Sequence, residues 1–154
     1  LDELNETLAL NLHSAFATVR AAAGVMRKSG GSIVLMSSAA ARLGLANHEA
    51  IAVAKAGVIG LALSAAATYA AQGIRVNVVA PGLVDTPMSK RITSNEASLK
   101  ASIAMHPAGR IGTPDEVAAA IQWLLTPENT WVTGQVLGVD GGLGSLKTLR
   151  PARG

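Results

Sequence analysis

Several polar residues of this 154-residue sequence could take part in acid–base or hydrogen-bonding chemistry, among them Asn11, Ser38, His48 and Lys55. His48 lies seven residues before Lys55, which is two turns of a helix, so the two side chains can face the same side. An imidazolium group titrates near neutrality and can act as an acid. Ile51, one turn before Lys55, is a hydrocarbon and cannot donate a proton. Position 51, between His48 and Lys55, therefore offers no acid.

Each of these polar groups also has an ordinary structural interpretation. Ser38 could close the turn at the end of a strand, and Lys55 could be a solvated lysine on a helix. Asn11 could be a helix amide bonded to the backbone, and His48 a solvated residue in the first turn of its helix. Tyr69 is the only tyrosine and lies 18 residues beyond the apolar position. At about 1.5 Å per residue it is about 27 Å away and cannot replace an acid there.

The elements that would position these groups alternate between helix and strand. Apolar residues recur every three or four positions over residues 2–28, which predicts an amphipathic helix. Residues 32–37 form a continuous apolar run after two glycines, which is typical of a strand buried on both faces. An alanine-rich helix is predicted over residues 47–71, with Asn47 as its N-cap and Gly73 closing its end.

A second strand is predicted over residues 74–80, and a long polar segment follows it. That segment covers residues 83–112 and has helical character around residues 96–105. A connection of this length often forms a lid over a substrate. We interpret His106, within the lid, as an ordinary loop histidine rather than a substrate ligand.

The clearest local signal is the pair Thr113 and Glu116, which predicts a capping box with Pro114 at the first helical position. After this helix, residues 135–140 form a last short strand. Strands separated by helices imply right-handed crossovers and a parallel sheet. Because a three-stranded sheet is thin and leaves an open edge, we expect further strands to be supplied from elsewhere.

Composition argues against several classes of function. The net charge is +3, but the basic residues are dispersed and densest near the end, so a solvated tail is favoured over a nucleic-acid surface. There is no cysteine, and the three histidines lack metal-ligand spacing, so we expect neither a disulfide nor a metal site. No uninterrupted apolar run reaches about 18 residues and no signal peptide is visible, which predicts a cytoplasmic protein without a membrane span. Since the chain begins with Leu1, either the start was removed or the chain is part of a longer protein.

Several motifs in order along the chain resemble those of the short-chain dehydrogenase/reductase family, in particular its 3-oxoacyl-carrier-protein reductase branch. The resemblance runs from about residue 1 to residue 142. It is carried by Asn11-Leu12, Ile33–Ser38, Lys55–Val58, Ile74–Gly82 with Thr86, Arg110–Ala118, Thr133–Gln135 and Val139–Gly142. Matches in this number and order are highly specific for the family.

The resemblance implies an α/β fold, namely the C-terminal part of a Rossmann-like doubly wound parallel sheet with flanking helices. It also implies an oxidoreductase that uses NAD or NADP and moves a hydride between the nicotinamide ring and a small carbonyl or alcohol substrate. In the family a tyrosine protonates the oxygen, a lysine lowers the pKa of that phenol and holds the ribose, and a serine polarises the carbonyl. By position, Lys55 and Ser38 take the last two roles, and Asn11 anchors a water-linked proton path. The implied cofactor contacts are Lys55, Pro81, Gly82, Val84 and Thr86.

Two departures from the family pattern bear on activity. No G-x-G-x-x-G turn lies between a strand and a helix, so we expect the N-terminal dinucleotide-binding half to be absent from this chain. In the family, the residue that contacts the ribose 2′ position belongs to that half. The sequence therefore does not distinguish NAD from NADP as the cofactor. Ile51 occupies the tyrosine position. The enoyl-reductase branch places its tyrosine at the longer spacing that His48 shows, so His48 is a speculative alternative acid.

We divide the chain into a partial Rossmann domain over residues 1–142 and a tail over residues 143–154. Carbonyl reduction by this chain alone is expected to be weak or absent. The alternative is a catalytically inactive relative that serves as a binding or oligomerisation subunit, or a fragment without independent function. The family dimerises through the helices that correspond to residues 2–28 and 47–71, so the resemblance implies a homo-oligomer.

Overall fold

The computed structural model describes residues 1–148, whose centre is a parallel sheet of three strands. The strands lie side by side in the order β1 (Gly31–Met36), β2 (Ile74–Pro81) and β3 (Val136–Val139). Every residue of β2 from Ile74 to Ala80 is buried, as expected for a central strand covered on both faces. The predicted parallel α/β arrangement is confirmed, and β1 presents an open edge.

The helices follow the predicted order. They are α1 (Asp2–Leu8), α2 (Ser14–Met26), α3 (Glu49–Tyr69), α4 (Lys90–Thr93), α5 (Glu96–Met105) and α6 (Pro114–Leu125). A π-helical segment, Ala9–His13, joins α1 to α2, so the first predicted helix is continuous but contains a wider turn. Residues 39–41, 70–72 and 87–89 form short 3-10 turns.

Alternation along β2 decides which helix covers which face of the sheet. Ile74, Val76 and Val78 belong to one apolar cluster with α2 and α3. Between them, Arg75 points to the other face, where its guanidinium donates to the carbonyls of Leu124 and Thr126 at the end of α6 at 2.9 and 3.2 Å. Successive side chains of a strand point to opposite faces, so helices lie on both sides of the sheet.

The start of α3 differs from its prediction. Asn47 is not the N-cap: it adopts a left-handed conformation with φ of 61°, and His48 stands at the cap position without a capping side-chain bond. Asparagine tolerates that conformation better than most residues, so Asn47 turns the chain one residue before the helix begins. At the other end, Gly73 closes the helix with φ of 69°, as predicted.

One helical stretch is long and apolar enough to cross a membrane by length and composition. It covers Glu49–Gln72, with a mean hydropathy of 1.9 in a window of which 28% is buried. Lys55 interrupts the apolar residues of this helix, so the sequence has no uninterrupted apolar run of the same length. A mean hydropathy taken over a window of residues stays high despite a single charged residue. Core helices of globular proteins meet the same criterion, and Ala54, Val58 and Ala62 are buried in this one.

The ends of the long segment over residues 83–112, which we predicted to be a lid, are joined to each other. Val84 and Gly112 form a parallel bridge, in which the Gly112 N–H donates to the Leu83 carbonyl at 2.9 Å. The predicted capping box of α6 is confirmed, with the Thr113 N–H donating to the Glu116 carboxylate at 2.9 Å. Of the predicted tail, residues 149–154 lie outside the described residues.

Candidate functional site

Asn11 lies on the π-helical segment between α1 and α2. It is half-buried, and its side-chain amide donates to the carbonyl of Thr7 at 3.0 Å. A π turn widens the backbone ladder and often marks a functional position on a helix. The wider turn was not predicted from the sequence, since the apolar spacing of three and four residues fits an ordinary helix equally well.

Ser38 follows β1 at the carboxyl end of the sheet. Its backbone is extended, and its hydroxyl oxygen accepts the N–H of Ala40 at 3.1 Å. The neighbouring Ser37 is buried, and its hydroxyl donates to the carbonyl of Lys55 at 2.9 Å. The strand end is therefore fixed against α3 by Ser37, while Ser38 is half-buried.

Lys55 lies on α3 beside the same strand end. Its ammonium donates to the carbonyl of Met36 at 3.1 Å, two residues before Ser38. Partial burial lowers the pKa of Lys55 below its usual range, because the charged form loses hydration. The structure thus brings the Lys55 ammonium to the strand end that Ser38 follows.

Ile51 lines a surface recess of about 260 Å³ together with Asn11 and His48. Glu3, Glu6 and Glu49 also line it, so the recess combines apolar side chains with several acidic ones. His48 is exposed, and its Nδ1 lies 2.7 Å from the carbonyl of Ala46. Because a carbonyl can only accept, Nδ1 carries the proton in this contact. Asn11, Ile51 and His48 therefore meet in one place.

The predicted cofactor contacts after β2 lie in one loop. Pro81 ends the strand, and the N–H of Gly82 donates to the Val139 carbonyl at 3.1 Å. The N–H of Thr86 donates to the Ser89 hydroxyl at 3.0 Å, and that hydroxyl donates to the Val84 carbonyl at 2.6 Å. Ligands of open parallel sheets bind at the carboxyl ends of the strands, where this loop lies.

His106 differs from its interpretation as an ordinary loop histidine. It is 4% exposed, and both of its ring nitrogens are hydrogen-bonded to backbone groups. It lines a cavity of about 260 Å³ with Arg110, Glu116 and Asp140. His106 lies 23 positions after its partner Leu83, so no local pattern in the sequence could reveal the contact.

Asp140 is a second buried polar group that lines this cavity. It is 7% exposed, and its carboxylate accepts the N–H groups of Gly142 at 2.9 Å and Gly144 at 3.0 Å. These bonds fold the turn that follows β3. An aspartate before two glycines is a usual turn signal and could have indicated this role.

Comparison with known proteins gives consistent results. Residues 1–144 match the enoyl-(acyl carrier protein) reductase family. The 3-oxoacyl-acyl-carrier-protein reductase FabG of Vibrio cholerae is 39% identical over 143 residues, which cover 92% of this chain and 58% of that protein. A short-chain type dehydrogenase/reductase from Mycobacterium ulcerans superposes with a TM-score of 0.87 at 33% identity, over 92% of this chain and 52% of that one. The structure of ElxO with NADP bound superposes with a TM-score of 0.83 at 36% identity. The match covers 88% of this chain and 56% of ElxO.

The chain therefore spans little more than half the length of the proteins it matches.

Proposed function

The chain belongs to the short-chain dehydrogenase/reductase family, and we propose that it forms the carbonyl-handling part of an NAD(P)-dependent oxidoreductase. The observation that carries the proposal is the position of Lys55, whose ammonium lies at the strand end two residues from Ser38. A small ketone or alcohol is the substrate class that such a pair accommodates. The dinucleotide-binding strands, by this proposal, come from residues outside the 154.

The residues present fit one end of a nicotinamide cofactor. The loop from Pro81 to Thr86 lies at the carboxyl end of β2, and the Lys55 ammonium can bond ribose hydroxyls. When bound, a nicotinamide cofactor supplies or accepts a hydride. The Ser38 hydroxyl would donate a hydrogen bond to the substrate oxygen, and the positive charge of Lys55 would favour negative charge developing there.

Proton transfer to the substrate oxygen is the step for which an acid is missing. We propose that Ile51 stands where the family has its tyrosine, and that carbonyl reduction is weak or absent as a result. His48 is the alternative acid, because it shares a recess with Ile51 and Asn11. Replacing His48 by alanine should abolish any residual reduction if His48 donates the proton, and unchanged activity would exclude that role.

Nucleotide binding and carbonyl reduction by the 154-residue chain test the proposed function directly. We expect NADH or NADPH to bind weakly, since the pyrophosphate turn is not part of the proposed site, and reduction of a simple ketone to be slow. Titration calorimetry measures the first quantity and cofactor oxidation at 340 nm the second. The lack of binding of either nucleotide at millimolar concentration would contradict the proposal.

A second candidate function, a catalytically inactive oligomerisation subunit, is supported by the outer faces of the long helices. Val53 and Leu63 on α3 are 55% and 49% exposed, and Phe16 on α2 is 54% exposed. Apolar faces of this extent on soluble folds usually contact a partner. The proposed partner is a second copy of the chain, bound through the helices over residues 2–28 and 47–71.

Native mass spectrometry of the chain and two variants tests the oligomer. Leu63→Glu should convert a homo-oligomer into monomers, because it buries a charge in the interface. Met88→Glu is the matched control, since Met88 is 95% exposed and lies outside both helices. A monomeric wild-type chain, or an equal effect of the two variants, would contradict this interface.

A further inference from the structure

His106 is a buried histidine for which the proposed chemistry has no use. It follows α5, at the point where the lid turns back towards the sheet. Its Nδ1 lies 2.7 Å from the carbonyl of Ser102, and its Nε2 accepts the N–H of Leu83 at 3.1 Å. The imidazole thus joins the lid helix to the loop that follows β2.

The two partners determine the tautomer of this ring. The Leu83 N–H can only donate, so Nε2 is unprotonated and accepts. The Ser102 carbonyl can only accept, so Nδ1 carries the hydrogen. Both ring nitrogens of His106 are therefore hydrogen-bonded. Nδ1 is the donor and Nε2 is the acceptor.

Gly82 allows the ring to come this close to the backbone. A Cβ atom on Gly82 would lie 2.7 Å from the His106 Nε2 and 3.0 Å from the Asp140 Cα, so any larger residue would displace one of them. The carbonyl of Leu83 is held separately by the Gly112 N–H at 2.9 Å. Both backbone groups of Leu83 are thereby bonded to the returning end of the lid.

We propose that His106 is a positioning residue, which acts through the Leu83 N–H to hold the loop from Pro81 to Thr86 in the conformation that contacts nicotinamide. The inference rests on the proposed cofactor role of that loop. His106 itself touches neither substrate nor cofactor. His106 restricts the conformations of the loop before the cofactor binds. Binding therefore loses less conformational entropy than it would with a mobile loop.

Two amide substitutions separate the two bonds of the ring. A glutamine side chain reaches as far as Nε2 and keeps an acceptor for Leu83, whereas an asparagine side chain reaches only Nδ1 and keeps the bond to Ser102. The experiment compares wild type, His106→Gln, His106→Asn and His106→Ala in the 154-residue chain. Circular dichroism first establishes that each variant folds, and His106→Gln serves as the conservative variant if His106→Ala does not.

Two readouts are measured on each variant by nuclear magnetic resonance. The first is the hydrogen-exchange rate of the Leu83 amide, which needs no ligand. The second is the dissociation constant of reduced nicotinamide mononucleotide, a probe for the nicotinamide end alone. We expect the asparagine and alanine variants to exchange the Leu83 amide faster and to bind about fivefold to tenfold more weakly, corresponding to the loss of one hydrogen bond. The glutamine variant should stay within about twofold of wild type.

The outcomes separate this inference from the proposed function. Equal binding by wild type and the asparagine variant would overturn the positioning role while leaving the cofactor site intact. Unchanged exchange of the Leu83 amide in the alanine variant would overturn it as well. If wild type binds neither the mononucleotide nor NADH nor NADPH, the proposed function fails, and the positioning role fails with it.

Discussion

Ser37 and Ser38 are adjacent in sequence and differ in what each hydroxyl can do. The Ser37 hydroxyl is buried and donates to the Lys55 carbonyl at 2.9 Å, so it stabilises the contact between β1 and α3. The Ser38 oxygen accepts the Ala40 N–H at 3.1 Å, which orients the side chain and leaves its O–H able to donate a hydrogen bond. Under the proposed function Ile51 also bears on the chemistry, because its hydrocarbon side chain cannot donate a proton.

Restoring a phenol at residue 51 should raise carbonyl reduction. A general acid contributes about 10²- to 10⁴-fold to a rate, so Ile51→Tyr should reduce a simple ketone at least about 10²-fold faster than Ile51→Phe. The phenylalanine variant has the same ring without the hydroxyl and therefore controls for packing in the recess. The rate of NADPH oxidation by the 154-residue chain measures the effect. Equal rates for the two variants would show that residue 51 is not the acid position.

At the scale of elements, the site depends on how α3 approaches the first helix pair. Gly57 lets Leu12 pack against α3: a Cβ on Gly57 would lie 2.8 Å from a Leu12 methyl carbon. Leu12 follows Asn11 on the π-helical segment. The position of Asn11 relative to the recess is therefore set by a close contact one residue away.

Adding a methyl group at this contact should destabilise the fold. Gly57→Ala should lower the free energy of unfolding by about 1–3 kcal/mol, because the crowded Leu12 must shift. Gly60→Ala is the matched control on the same helix, since a Cβ there meets no neighbouring atom within 4 Å. It should be neutral or stabilising by up to about 1 kcal/mol through helix propensity. Urea unfolding of both variants gives the comparison, and a stable Gly57→Ala variant would argue against the contact.

The start of α6 should show a pH dependence that comes from one carboxylate. Hydrogen bonds from Arg110 and from the Thr113 backbone hold the pKa of Glu116 at about 2. Since this pKa is lower in the folded state, the stabilising contribution is present above the ordinary glutamate pKa of about 4.5 and is lost as the pH falls towards 2.

Glu116→Gln removes the titrating group and tests this dependence. The melting temperature of wild type should exceed that of the variant most at pH 6, and the difference should shrink between pH values of about 4.5 and 2.5. Because Arg110 and Glu116 are exposed, the effect should be small and should weaken in high salt. A difference that is constant over this pH range would mean that the carboxylate is not stabilised by its partners.

At the scale of the whole molecule, Arg75 joins the sheet to the connection between α6 and β3. It is 9% exposed and donates to the carbonyls of Leu124, Thr126 and Val132 at 2.9 to 3.2 Å. The last carbonyls of a helix have no hydrogen-bond donors within the helix. The C-terminal end also carries a partial negative charge, which a cation stabilises. One guanidinium therefore closes α6 and fixes the segment that leads to β3.

Truncating this side chain should destabilise the described fold. Arg75→Leu leaves three carbonyls without their donor and should lower the free energy of unfolding by about 2–3 kcal/mol. Arg75→Lys keeps the charge but not the forked geometry, so its loss should be intermediate. Urea unfolding followed by circular dichroism distinguishes them. If Arg75→Leu were as stable as wild type, solvent would have to satisfy these carbonyls.

Local signals in the sequence determined the order of the elements. Continuous apolar runs indicated the strands, and the Thr113–Glu116 capping box and the glycine at 73 marked helix ends that the structure confirms. These signals succeed because they arise from interactions between residues a few positions apart. The motifs around Ser38 and Lys55 similarly indicated the family, and the structure brings their segments together.

Tertiary structure decided what distant residues do for one another. The bond from Leu83 to His106 spans 23 residues, and those from Arg75 to α6 and its following loop span up to 57. The π turn at Asn11 and the left-handed turn at Asn47 likewise have no signature in apolar spacing. The sequence by itself therefore determined the fold class, the family and the residue types of the site. Only the packed structure decided which backbone groups those residues hold, because such contacts depend on the crossing of elements far apart in the chain.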